Sequence, residues 1–230
     1  MFLLLSNEKL TGLVARQLNS FFGIDDKETK EITDCISGAL KKVEYCFSFV
    51  KNKYYWKENT ISFSPFQTDQ YAIFLYYLSN ILSVERNNKL LADKVYYLNK
   101  ALHSADLYHE VSLPAIFTMG HPLGSVIGRA RFSNFFYFSQ NCTVGNNHGI
   151  YPTFDEHVML LAGATIIGKS HIGKNCLISA NTYIKDQDVP ANSLVFGSSP
   201  NLNIKNKDDE YFWENSKFFP TASSRPLKAS

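Results

Sequence analysis

Between residues 150 and 186 the large apolar residues Phe154, Leu160, Ile166, Ile172, Ile178 and Ile184 recur at every sixth position. Four places after each of the first five stand Val158, Ala164, Ser170, Cys176 and Thr182, a row of compact side chains with the same period. A half-buried strand repeats every second residue and a helix every third or fourth, and Lys169, Lys174 and Asn175 interrupt any helical stripe here. A period of six with one bulky and one small position predicts a hexapeptide β-helix, in which each piece forms one flat side of a coil. Three sides make a triangular coil, so residues eighteen apart stack at the strand spacing of about 4.8 Å. That arithmetic puts Phe154 under Ile172, Leu160 under Ile178 and Ile166 under Ile184.

The first hundred residues follow another rhythm. Leu10, Leu13, Val14, Leu18 and Phe21 fall at helical steps within residues 7 to 22, and Ile32, Ile36, Leu40, Val43, Phe47 and Val50 do so between about 27 and 51. Pro65 and its polar neighbours break the pattern, after which residues 68–85 and 87–106 read as two further helices. The change of period gives an α-helical domain over 1–105, a β-helix over 106–205 and a tail over 206–230 whose last ten residues are expected to be disordered. Phe132, Phe135, Phe136, Tyr137 and Phe138 crowd the early coils beyond what a narrow prism accepts, so some must point outward, toward the helical domain or a neighbouring subunit.

Composition adds boundaries. With 230 residues, 45% hydrophobic and 19% charged, the chain suffices for one large domain or two small ones with proper cores. A formal charge of +2 without a block of like charges gives no nucleic-acid or membrane footprint. The opening "MFLLL" lacks a basic flank and is too short for a signal peptide or a spanning helix, so a cytoplasmic location is expected. Cys35, Cys46, Cys142 and Cys176 show no metal-site spacing and read as buried or idle thiols.

The segment "ADLYHEVSLPAIFTMGHPLGSVIGRA" (105–130) resembles the "VDIHP…DHATGVVIGETA" of bacterial serine acetyltransferases, and the interval from Asp106 to His121 equals that between the family's catalytic Asp and His. "YPTFDEHVMLLAGATIIG" and "DVPANSLVFGSSP" are similar to the family's "HPKIREGVMIGAGAKILG" and closing "DVPPHTTVVGVPA", so the resemblance covers roughly 105 to 205. It implies a left-handed parallel β-helix after an α-helical domain, an α+β fold, with acetyl-CoA as co-substrate and no metal. His121 is then the general base and Asp106 the carboxylate that orients its imidazole. By itself His121 reads as a turn histidine before Pro122. His103, His109, His157 and His171 read as surface or subunit-contact residues.

The resemblance also implies where acetyl-CoA lies: Ala162 and Ala180 match the family's contact positions, Gly145 falls at a glycine of its "TLGG", and Lys185 and Lys205 are candidates for the CoA phosphates. Small residues and exposed lysines have ordinary structural uses as well. The family's basic "RHP", which helps hold the amino-acid substrate, is here Ile150, Tyr151 and Pro152. Isoleucine cannot replace a bidentate guanidinium on a carboxylate, whereas Tyr151 offers a hydroxyl and a ring face suited to a sugar. His148 is a candidate second imidazole of the acceptor site. "GHPLG" is also similar to the "THPL" of maltose and galactoside acetyltransferases. The sequence therefore points to acetyl transfer onto a sugar hydroxyl of a surface or capsular polysaccharide. Serine O-acetylation for cysteine biosynthesis is the alternative. From other classes stand a trimeric metal protein of the γ-carbonic-anhydrase kind, using histidines such as His121, His148, His157 and His171, and a non-enzymatic scaffold. The resemblance implies a homotrimer or a dimer of trimers.

Overall fold

A computed structural model describes residues 1–222. Of the ten terminal residues expected to be disordered, 223–230 lie outside the described residues. Four helices come first: α1 (Asn7–Phe22), α2 (Asp26–Phe47), α3 (Thr68–Val84) and α4 (Lys89–His103). Ser6 starts α1 by accepting the Lys9 N–H, and Asp25 starts α2 with a reciprocal capping box to Glu28. α2 stops short of the expected residue 51, because the chain turns at Ser48 and Val50 bridges to Phe218 near the C-terminus. α3 is buried on nearly every side, the mark of a central helix. A small sheet of Phe2–Leu3, Thr60–Phe63 and Trp56–Lys57, with Thr60–Phe63 in the middle, joins the helices without having been signalled by the pattern.

The helices seat on the N-terminal end of a left-handed parallel β-helix of about five turns. Tyr76 and Tyr77 of α3 donate to the carbonyls of Val111 and Ala115 and meet the Phe117 ring edge-on, while Cys46 of α2 donates to the Phe117 carbonyl. The open end of the prism is thereby covered, as an unpaired β edge requires.

The expected stacks are present. Phe154 pairs with Ile172, Leu160 with Ile178 and Ile166 with Ile184, and all six are essentially without exposure. The compact row from Val158 to Thr182 is buried as well. Corners take left-handed backbone, which glycine and asparagine tolerate best. In one corner Gly163 has φ +74°, and a Cβ there would lie 2.4 Å from Oδ1 of Asn181, whose side chain folds back over it. The register steps by eighteen in the later coils but jumps from Thr143 to Thr165, because residues 146–150 bulge out as an inserted loop.

Of the aromatic cluster, Phe132, Phe136 and Phe138 fill the prism with Phe154, Phe132 stacking on Phe154 at 5.2 Å. Phe135 turns outward at φ +65° and meets Phe49 at the end of α2, together with Trp213 and Phe218. The tail is thus a strap. After the hairpin Ser193–Ser198 and Asn201–Asn206, α5 (Asp209–Glu214) runs down one corner of the prism, and Lys217 to Phe219 pair with Phe49 to Lys51. All four cysteines are free and buried. His103, His109 and His157 are also buried, which corrects their reading as surface residues: each is taken into a packing layer and hydrogen-bonded there, His103 to Asn99, His109 to Asp93 and His157 to Asn175 and Ser216. His171 is exposed, 3.3 Å from Asp155.

Candidate functional site

His121 follows the strand Phe117–Met119 at the corner of the first coil, held at φ +51° and exposed. Its carbonyl accepts the Leu123 N–H at 2.8 Å, and the preceding Gly120 donates to the Phe138 carbonyl at 3.1 Å. Gly120 leaves room for a neighbour: a Cβ there would come 2.5 Å from the hydroxyl of Tyr137, which bonds Ser139.

Asp106 pairs through its backbone with Ser125 and Ile127, one coil below. Tyr96 donates to its Oδ1 at 2.7 Å and Lys100 to its Oδ2 at 2.6 Å, so both oxygens are engaged by α4. Among the described residues no hydrogen bond or ion pair joins Asp106 to His121. The carboxylate beside His121 is instead Asp69, in the first turn of α3. Burial raises the Asp69 pKa above the ordinary carboxylate range, while the charge and the backbone N–H of His121, then Gln67 and Thr68, oppose that rise. Its Oδ1 is buried without a hydrogen-bond partner, and Tyr55, itself buried, lies close to it. Sequence reasoning missed Asp69 because an acid in the first turn of a helix is ordinary, and nothing local says that the turn is buried against another domain.

The inserted loop carries the acceptor candidates. Asn147 and Ile150 exchange two backbone hydrogen bonds of 3.0 Å, which places His148 exposed at the tip with φ +50°. Tyr151 returns to the prism half-buried; its hydroxyl accepts from Asn146 at 3.4 Å, and a Cβ on Gly128 would touch its ring at 3.2 Å. Tyr151 therefore lies over Gly128, at the far end of the face that begins at the His121 corner, and no hydrogen bond or ion pair joins His148 to His121 among the described residues.

The cofactor candidates fall on two faces and the corner between them. Ala162 and Ala180 stack on successive coils, with the Asn181 N–H bonded to the Ala162 carbonyl. Gly145, Ile167 and Lys185 stand in one column of the next face. Above them a cleft of about 310 Å³ is lined by Tyr183, Lys185, Asp186, Gln187, Ser199 and Pro200. Lys205 pairs opposite Leu194, on the face of Leu177 and Met159, with its ammonium 5.7 Å from the Phe196 ring centre. The structure thus leaves Lys185 and Lys205 on different faces. Small side chains at the corner leave a flat path along the coil, and the cleft above carries one lysine, Lys185, beside one carboxylate, Asp186. Among the described residues no three His, Cys, Asp or Glu gather as a metal site, and no helix is long and apolar enough to cross a membrane.

No family model matches the chain. A curated fission-yeast relative (Schizosaccharomyces pombe) named "Putative serine acetyltransferase" is 28% identical over 101 residues, 42% of this chain and 37% of the relative. The chain therefore matches little more than a third of that protein's length. The solved serine acetyltransferase of Vibrio cholerae superposes with a TM-score of 0.70 at 19% identity, covering 92% of this chain and 84% of that one. A Brucella abortus serine acetyltransferase in complex with coenzyme A gives 0.66 at 17% identity, over 89% and 83%. The shared feature is the fold, helices followed by the hexapeptide-repeat β-helix.

Proposed function

We propose that the chain is an acetyl-CoA-dependent O-acetyltransferase whose acceptor is L-serine or a closely similar hydroxylated amine. The observation that carries the reading is the exposed imidazole of His121 at a β-helix corner, with the buried carboxylate of Asp69 within electrostatic reach of it. The fold common to serine acetyltransferases, one of them holding coenzyme A, supports the co-substrate.

An alcohol attacks a thioester slowly unless its proton is removed in the transition state, and a neutral imidazole suits that task near pH 7. His121 takes the hydroxyl proton as the oxygen attacks the acetyl carbon. The tetrahedral adduct expels the CoA sulfur, and the imidazolium returns the proton to it. The products are the O-acetyl ester and free CoA. Asp69 supplies negative charge where the imidazolium forms and where an ammonium of the acceptor would sit. Asp106, whose spacing to His121 matches the family's, is the other candidate for the orienting acid. Ala162, Ala180 and Gly145 give the pantetheine arm a flat path, and Lys185 in the cleft meets its phosphates; Lys205 stands on the neighbouring face as a second cation. A cytoplasmic reaction, with access to acetyl-CoA, is the location that goes with this reading. Leu123 and Val126 beside the His121 corner and Ile150 on the inserted loop are exposed, apolar positions that a second copy in a trimer would cover.

A second reading, transfer to a sugar hydroxyl, is favoured by Ile150 and Tyr151, which cannot clamp a carboxylate but offer a ring and a hydroxyl. Free CoA release from acetyl-CoA, followed with L-serine, amino sugars, neutral sugars and oligosaccharides, tests both. Turnover with serine that disappears in His121→Ala supports the first reading, turnover with sugars alone supports the second, and release unaffected by His121→Ala removes both.

A further inference from the structure

The geometry points to Asp186 as a positioning residue that holds the acceptor loop from the coil of the cofactor cleft, and we propose that it sets acceptor affinity. This rests on the acetyltransferase reading above.

The loop 146–150 has few ties outside itself. The Asn147–Ile150 pair and the bond from the Gly149 N–H to Asn146 Oδ1 at 3.2 Å are internal. Its side-chain anchor to the later coils is Asn147, whose Nδ2 donates to Asp186 Oδ2 at 2.5 Å. The other Asp186 oxygen, Oδ1, accepts the Lys169 N–H at 2.7 Å. The carboxylate reaches the loop by passing across Gly168, which has φ +76°; a Cβ there would fall 2.0 Å from Asp186 Oδ1 and 2.9 Å from Asn147 Cβ. Three successive coils are thus pegged at one corner by a single carboxylate, and a side chain on the middle coil would block the peg.

The base of the peg is fixed. The Asp186 N–H donates to the Ile167 carbonyl at 3.2 Å. On either side, Lys185 donates its N–H to Ser199 Oγ at 3.1 Å, Ser199 donates to Gln187 Oε1 at 2.8 Å, and Gln187 Nε2 reaches the Pro200 carbonyl. These residues form the wall of the 310 Å³ cleft. A hydrogen bond to a carboxylate is stronger and shorter than one to a neutral oxygen, so Asp186 restrains Asn147 more firmly than water or an amide would. The loop it restrains leads directly into Tyr151 beside Gly128.

The test uses the full chain as wild type, as Asp186→Ala, and as the reciprocal pair Asn147→Asp with Asp186→Asn, which re-forms the amide–carboxylate bond in reverse. Hydrogen exchange of the 146–151 segment is followed together with steady-state kinetics. In Asp186→Ala the exchange of that segment rises about tenfold and the acceptor KM rises about tenfold, well beyond any change in the acetyl-CoA KM that loss of a cleft residue brings. The reciprocal pair returns both quantities toward wild type. An unchanged acceptor KM, an equal rise in both KM values, or failure of the pair to restore them overturns the proposal. A wild type that transfers acetyl to no acceptor removes the acetyltransferase reading and the acceptor role with it. Unchanged exchange in Asp186→Ala overturns the anchoring by itself.

Discussion

Trp213 lies flat on His157, ring centroids 3.9 Å apart and planes 16° from parallel. The imidazole is fully committed: Nδ1 meets Asn175 Oδ1 at 2.9 Å and Nε2 meets Ser216 Oγ at 2.8 Å. The tail strap is therefore fastened to the prism through one buried histidine, and then to the helices through Phe218, which is wholly buried against Phe135.

That fastening is pH-sensitive. Burial lowers the His157 pKa, with Lys174 acting in the same direction and Asn175 and Asp209 against it. The unfolded chain, with an ordinary histidine near 6.5, binds the proton more readily than the folded one. Stability is thus complete above that value and falls as pH drops through it. His103, lowered by burial too, adds to the same trend. Urea midpoints measured at about pH 7.5 and 5.5 should fall on acidification, and less steeply in His157→Asn. Equal slopes in the two proteins would assign the effect elsewhere.

Removing the stacking partner should loosen the strap. Trp213→Ala deletes contacts to both His157 and Phe135, and Trp213 is half-buried, so the expected loss is about 2 kcal/mol, read from chemical denaturation. No loss would mean that Phe218 and the Val50 bridge hold the tail unaided.

His121→Ala should lower acetyl transfer about 10²- to 10⁴-fold with little effect on thermal unfolding, because the side chain is exposed. A drop in melting temperature matching the drop in activity would make His121 structural.

The two acids near this corner separate cleanly. Asp69→Asn should reduce kcat/KM at least about tenfold, because it removes the negative charge beside His121, whereas Asp106→Asn keeps the Tyr96 bond and should change it less than about threefold. The opposite order would return the orienting role to Asp106.

Gly173→Ala tests the tightness of the coil. A Cβ at Gly173 would come 2.6 Å from the Ala191 nitrogen and 2.9 Å from its Cα, which are backbone atoms of the next coil. Overpacking of this kind costs about 1–3 kcal/mol, and calorimetry should register it as a lower melting temperature.

The sequence by itself determined the prism and the helices. A backbone that repeats every six residues must send the same position inward each time, so Phe154 under Ile172 and Leu160 under Ile178 follow from counting. The helix α1 follows from its apolar stripe, and α3 and α4 from the apolar runs that resume after the break at Pro65. The aromatic run around Phe135 announced an outward contact without saying which part of the chain would meet it. Only the tertiary structure decided that the tail returns to Val50, that His157 is buried beneath Trp213, and that Asp69 lies beside His121 while Asp106 is taken by Tyr96 and Lys100. These contacts join residues tens of positions apart. No local period encodes them, because they depend on how the helical layer seats on the end of the coil.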